Sequence, residues 1–303
     1  MFVTVDQLQD MVGEGRKIAL AKDYKKDNIT LIARDKVLRP QDIEKLAQLT
    51  RGKLEIKVAS NIVVPTKLKS EMMVEITGLL KSHPYYEGLA SGKRKEVERI
   101  ILNIYPHNDY VSHALKHVHH FSKKLFSHSV HVGIISLIVD LGWQKRYNHG
   151  LIDSAKLEHI FFGALLHDIG YLTMDKALWE DSRRKDKDFS QRLLRDHPSR
   201  GYELLKRDES KHQFPPDILK IVLQHEEKED NNGFPMGLSE SQIDLNAKIV
   251  GLCNEFEHFI SGESTDSQTP YKDFSRYFLD DKIRYDKDAL SILLEEFRHL
   301  SIK

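Results

Sequence analysis

One cysteine among 303 residues, Cys253, excludes an intrachain disulfide and leaves any metal site without a set of thiolate ligands. That scarcity suits a reducing compartment. No run approaches the ~20 consecutive apolar residues of a membrane span, and Met1-Phe2-Val3-Thr4-Val5-Asp6 lacks the basic start and apolar core of a secretory leader. A soluble, cytoplasmic protein without a membrane partner is expected. Neither sign of charge is in excess, with 46 Lys and Arg against 46 Asp and Glu. The first hundred residues carry 19 basic and 14 acidic side chains, an asymmetry too small for a nucleic-acid surface. There is no Gly-rich phosphate loop, and no Ser-His-Asp or Cys-His arrangement stands out.

What the chain does have is a polar pair in an apolar setting. Residues 161–172 read Phe-Phe-Gly-Ala-Leu-Leu-His-Asp-Ile-Gly-Tyr-Leu, a small-residue helix surface that abruptly carries His167 and Asp168 side by side. Burying both without partners is costly. Adjacent helical residues diverge by roughly 100°, so the two cannot aim head-on at one atom, but they can flank a pair of metal ions.

The neighbours extend the pattern. His128 precedes the apolar stretch Val130–Leu141, His197 sits in Asp196-His197-Pro198, and His225 ends Ile218–Gln224. The intervals are 39, 30 and 28 residues, and a further 29 reaches Asn254 on another largely apolar helix. Each interval suits one helix leaving and another returning, so the side chains can converge at one end of a bundle. Imidazole and carboxylate ligands suit iron, manganese or zinc, and two cations sharing a carboxylate support hydrolysis of a phosphodiester. His113, His117, His119 and His120 share a polar helix with Lys116 and Lys123 and read as solvent-facing. Cys253 reads as packing rather than ligation.

His167-Asp168-Ile169-Gly170, then Asp196-His197-Pro198 with Gly201-Tyr202-Glu203-Leu204-Leu205, then a His-Glu segment ending in Gly233-Phe234-Pro235, resembles the HD-GYP branch of the HD-domain metal phosphohydrolases. The resemblance covers roughly residues 120–275. It implies a mainly α protein built on a helical-bundle HD domain, two divalent ions with iron ahead of manganese, and hydrolysis of cyclic di-GMP. Carried over by position, the implied metal ligands are His128, His167, Asp168, His197, His225, Glu226 and Asn254, with Asp168 as the catalytic, bridging carboxylate.

The departures are as specific as the matches. Glu226 stands where the family has a second His, and Asn254 where it has its last metal-binding Asp. One charge is lost and one gained, which implies a retuned centre rather than a dead one. Among expected substrate contacts, Tyr171 replaces a lysine, Phe234 replaces the signature tyrosine, and Lys272 alone keeps a positive charge where the family reads Arg-Pro-Tyr-Arg. Lys124 stands where some members place an acid for a third ion, so two metals are expected rather than three.

The first ~95 residues have another rhythm. Short β-prone runs at Ile18–Ala21, Ile29–Ala33 and Leu54–Ala59 alternate with polar turns, and Pro40–Ala47 reads as a helix opened by proline. Thr66–Lys81 reads as a helix and His83–Lys93 as a linker. A small α+β domain over 1–95, for regulation or for contact with a signalling partner, and a helical metal-binding domain over 96–303 are therefore expected. Three functional readings stay open: a divergent cyclic di-GMP phosphodiesterase, a catalytically weak or inactive signalling protein whose pocket binds a nucleotide or partner domain, and a phosphohydrolase of a smaller substrate.

Overall fold

The computed structural model describes residues 2–3, 8–9, 12, 24–26, 29–32, 38–50, 56–57, 66–89, 91–105, 109–174, 176, 179, 187–206, 214–261 and 271–301. Contacts divide the chain into Met1–Glu71 and Met72–Lys303. In the first unit, β1 (Phe2–Val3), β2 (Tyr24–Lys26), β3 (Ile29–Ile32) and β4 (Ile56–Lys57) form two antiparallel pairs, β1 with β4 and β2 with β3. Helix α1 (Pro40–Thr50) starts at the expected proline. Its Asp42 carboxylate accepts from the Arg39 backbone N–H at 3.0 Å. The strand expected at Ile18–Ala21 lies outside the described residues.

The division after Glu71 falls earlier than the composition break near residue 95, and the reason is packing. In α2 (Thr66–Ser82), Ile76 and Leu80 are fully buried, and in the 3-10 turn Pro84–Tyr86 the Tyr86 ring is buried too. The Tyr86 hydroxyl lies 2.9 Å from His131 Nδ1, so the polar stretch after His83 is a docked turn within the second unit.

Helices α3 (Ser91–Ile104) and α4 (Asp109–Phe121) lead into α5 (Lys123–Tyr147), the axis of the second unit. The Ser122 hydroxyl caps α5 by accepting from Leu125 N–H, and nearly every residue from Val130 to Leu141 is buried. By length and composition α5 could cross a membrane, but 89% of its apolar window is buried inside the protein, the environment of a core helix. Against it pack α6 (Ser154–Leu166), α9 (Leu245–Ile260) and α11 (Lys287–Glu296), while α8 (Pro216–Gln224) fills between α6, α7 (Lys187–Lys206) and α9. Helix α10 (Tyr271–Asp280) follows α9.

Two glycines permit the closest approaches. A Cβ on Gly170 would lie 2.0 Å from the His197 carbonyl oxygen, and one on Gly251 would lie 2.2 Å from that of His225. Any side chain at either position would push a histidine-bearing segment away from its neighbour.

Candidate metal centre

The four histidines come from four helices. His128 lies one turn into α5, His167 caps the C-terminus of α6, His197 lies within α7, and His225 caps the C-terminus of α8. All four are buried, His167, His197 and His225 completely. Asp168, at the start of the 3-10 turn Ile169–Thr173, stands between them.

Each ring is held by one nitrogen and aimed by the other. Nδ1–H of His167 donates to the Ala164 carbonyl at 2.7 Å, that of His197 to Leu194 at 2.6 Å, and that of His225 to Val222 at 3.0 Å. In His128, Nδ1 instead faces a carboxylate oxygen of Glu257 at 2.5 Å. A carbonyl or carboxylate can only accept, so in each neutral ring the proton sits on Nδ1 and Nε2 presents a lone pair. Those lone pairs converge: Nε2 of His128 is 3.3 Å from Nε2 of His167, and Nε2 of His197 is 2.9 Å from that of His225.

Asp168 divides its two oxygens between the two pairs. Oδ2 lies 3.6 Å from His128 Nε2 and 3.4 Å from His167 Nε2, whereas Oδ1 lies 3.1 Å from His197 Nε2 and 3.8 Å from His225 Nε2. The result is two triads of potential ligands, His128–His167–Asp168 and Asp168–His197–His225, with one residue in common. Burial works against the charge of Asp168, but His167 and His197 overcome it and hold the carboxyl well below its ordinary range. Burial likewise opposes a charge on His167, and Asp168 outweighs it, so that its pKa is raised. His225 is pushed well below its usual value by burial and then by His167 and His197. A concentrated negative charge among inward-facing lone pairs favours a positive ion at the centre, and imidazole with carboxylate is a donor set for divalent first-row metals.

The other expected ligands lie at the edge of the same cluster. Asn254 on α9 is buried, and its Nδ2 donates to Glu226 Oε1 at 3.4 Å. Its carbonyl oxygen, by contrast, is buried with no hydrogen-bond partner. A buried acceptor left open is costly in a closed core and is what a cation ligand offers. Glu226 Oε1 is 3.9 Å from His225 Nε2. The next carboxylate, Glu227, turns away: it accepts from the backbone N–H groups of Met236 at 2.6 Å and Leu238 at 2.8 Å, and so shapes the loop that follows.

Of the expected substrate contacts, the Tyr171 ring stacks on His197 with centroids 4.5 Å apart and planes 19° apart. Phe234 is half-buried in the loop after Glu227, its N–H donating to the Glu226 carbonyl at 3.2 Å. Lys272 belongs to the first turn of α10, and its side chain lies outside the described residues, as does the segment 262–270. The four histidines of α4 are not uniformly solvent-facing: His113 is buried beside Val111, Ser112 and Leu115, and only His120 is exposed. The amphipathic face of α4 packs against α5 and carries His113 inward. Cys253 is buried, and burial pushes its thiol up to about 12, which keeps it protonated.

Residues 145–277 match the HD-domain family. That stretch is less than half of the 303-residue chain. The matched stretch supplies every residue of the cluster except His128, which α5 brings in from upstream. Over 148 residues, 48% of this chain and 31% of the relative, the chain is 29% identical to the cyclic di-GMP phosphodiesterase PA4108 of Pseudomonas aeruginosa. Over 115 residues, 38% of this chain and 28% of the relative, it is 31% identical to the cyclic di-GMP phosphodiesterase response regulator RpfG of Xanthomonas campestris. The match thus spans less than a third of either relative's length. Among solved structures, the HDG"Y"P protein Bd1817 of Bdellovibrio bacteriovorus superposes with a TM-score of 0.46 at 18% identity, over 94% of this chain and 95% of that one.

Proposed function

We propose that the HD domain holds two divalent cations, iron or manganese, bridged by Asp168, and hydrolyses a phosphodiester bond of a cyclic dinucleotide of the cyclic di-GMP class. The observation that carries this reading is the division of the Asp168 oxygens between two imidazole pairs. When bound, such a cation pair activates water and neutralises charge on a phosphoryl group under attack. His128 and His167 hold one position, His197 and His225 the other, and the open carbonyl of Asn254 and the carboxylate of Glu226 complete the rim. The substrate class rests on the names of the two curated relatives, both cyclic di-GMP phosphodiesterases.

A second reading is favoured by one feature. Tyr171 lies flat on His197 and offers a neutral ring, with no cationic contact to a phosphate. Binding of a nucleotide with little turnover, in a signalling role, would suit such a pocket.

The test is metal analysis of the purified protein joined to turnover assays with cyclic di-GMP and a generic aryl phosphodiester. Two equivalents of metal with turnover support the hydrolase, and two equivalents without turnover support the binding role. Asp168→Ala should lose both ions, because one side chain serves both positions, and a full metal complement in that variant would overturn the bridging assignment.

A further inference from the structure

Glu257 on α9 stands outside the two triads that Asp168 joins and groups instead with His128 and His258; it is 5% exposed, and its Oε2 lies 2.5 Å from His128 Nδ1. His167, His197 and His225 each find a backbone carbonyl three residues earlier for Nδ1–H. His128 cannot do the same. It lies inside α5, a 25-residue helix whose carbonyls are engaged in the helical ladder, so its Nδ1 must find a partner elsewhere. A neutral imidazole has one N–H. Without an acceptor at Nδ1 that proton can move to Nε2, which would then point a donor, not a lone pair, at His167 Nε2 3.3 Å away.

We propose that Glu257 is the positioning residue that fixes His128 with its proton on Nδ1 and its Nε2 lone pair turned to the cation centre. The assignment deepens the two-cation reading and rests on it. The geometry around the pair is closed: the His258 ring stacks on His128 at 4.5 Å between centroids and 22° between planes, limiting rotation of the imidazole. His131, one turn further along α5, is already engaged by the Tyr86 hydroxyl. Glu257 also stands three residues after Asn254, on the same side of α9, so one helix supplies both an open carbonyl to the centre and the carboxylate behind one of its ligands.

The experiment compares wild type, Glu257→Ala and Glu257→Gln in two readouts. Titration with Mn2+ alone should show one of two equivalents bound about 10- to 100-fold more weakly in Glu257→Ala, with Glu257→Gln, which keeps an acceptor but not the charge, in between. Nitrogen-15 spectra of labelled histidine in chelator-treated protein should place the His128 proton on Nδ1 in wild type and move it towards Nε2 in Glu257→Ala. A purely structural role would leave that tautomer unchanged. An unchanged tautomer together with unchanged Mn2+ affinity in both variants overturns the proposal. A wild type that takes up no Mn2+ but shows the tautomer shift would sink the two-cation reading while upholding the Glu257–His128 relationship.

Discussion

Pro198 leaves the Leu194 carbonyl without a helical donor, and His197 Nδ1 takes that carbonyl at 2.6 Å. A residue with no N–H at position i frees the oxygen at i−4. Here the freed oxygen orients the histidine immediately before the proline. The apparent defect in α7 thus helps to build the histidine cluster.

Pro198→Ala should separate stability from metal binding. Restoring an N–H at 198 repairs the helix, and thermal unfolding should show a gain of about 1–3 kcal/mol, given the roughly 3 kcal/mol that an interior proline costs. The repaired ladder competes for the Leu194 oxygen, so Mn2+ affinity measured by titration should fall. A variant both more stable and undiminished in affinity would show that the Leu194 contact does not orient His197.

Gly251→Ala should act on His225 without touching a ligand. The added methyl would meet the His225 carbonyl oxygen at 2.2 Å, a backbone atom that cannot rotate away. Helix α8 and α9 must separate, at a cost of about 1–3 kcal/mol in stability by chemical denaturation. One Mn2+ equivalent should weaken alongside. Unaltered stability would mean that α9 shifts freely against α8.

Removing cations from the protein should lower its melting temperature. Nε2 lone pairs 2.9 Å and 3.3 Å apart repel unless a positive charge lies between them. Adding Mn2+ back at about 100 times its dissociation constant should restore about 2.7 kcal/mol. Calorimetric scans with and without chelator would measure it, and coincident scans would contradict the reading.

Away from the centre, Asp140 on α5 is fully buried, and burial raises its pKa against the opposing pull of Lys156, 3.2 Å away. Gln144 donates to its other oxygen at 2.6 Å. Lys156→Met keeps an unbranched side chain but removes the ammonium that lies over Trp143 and pairs with the carboxylate, for a loss of about 2–4 kcal/mol near neutral pH. A carboxyl whose folded pKa lies above its unfolded value favours the fold most in acid, and that contribution is lost as pH rises through the folded pKa. The variant raises that pKa further. Its deficit relative to wild type should therefore shrink as pH falls toward the ordinary aspartate range, and a pH-independent deficit in denaturant melts would exclude Asp140 as the cause.

The sequence by itself carried the helical class of the second unit, the starts of α1 and α2 at Pro40 and Thr66, and the spaced series His128, His167-Asp168, His197 and His225. Those features are local: a period, a punctuating residue, an interval of one helix out and one back. Tertiary structure decided what depends on partners distant in the chain. Turn 84–86 belongs to the second unit because the Tyr86 hydroxyl meets His131, and His113 is inward because α4 lies on α5. Glu257 behaves likewise. Its place on an apolar helix, three residues after Asn254, was visible, but its meaning arises only where α9 crosses α5 and brings its carboxylate to a histidine 129 residues away. Pattern reveals which face of a helix is buried. Which donor each buried acceptor meets is settled by packing between helices, because a hydrogen bond is satisfied by position in space and not by position along the chain.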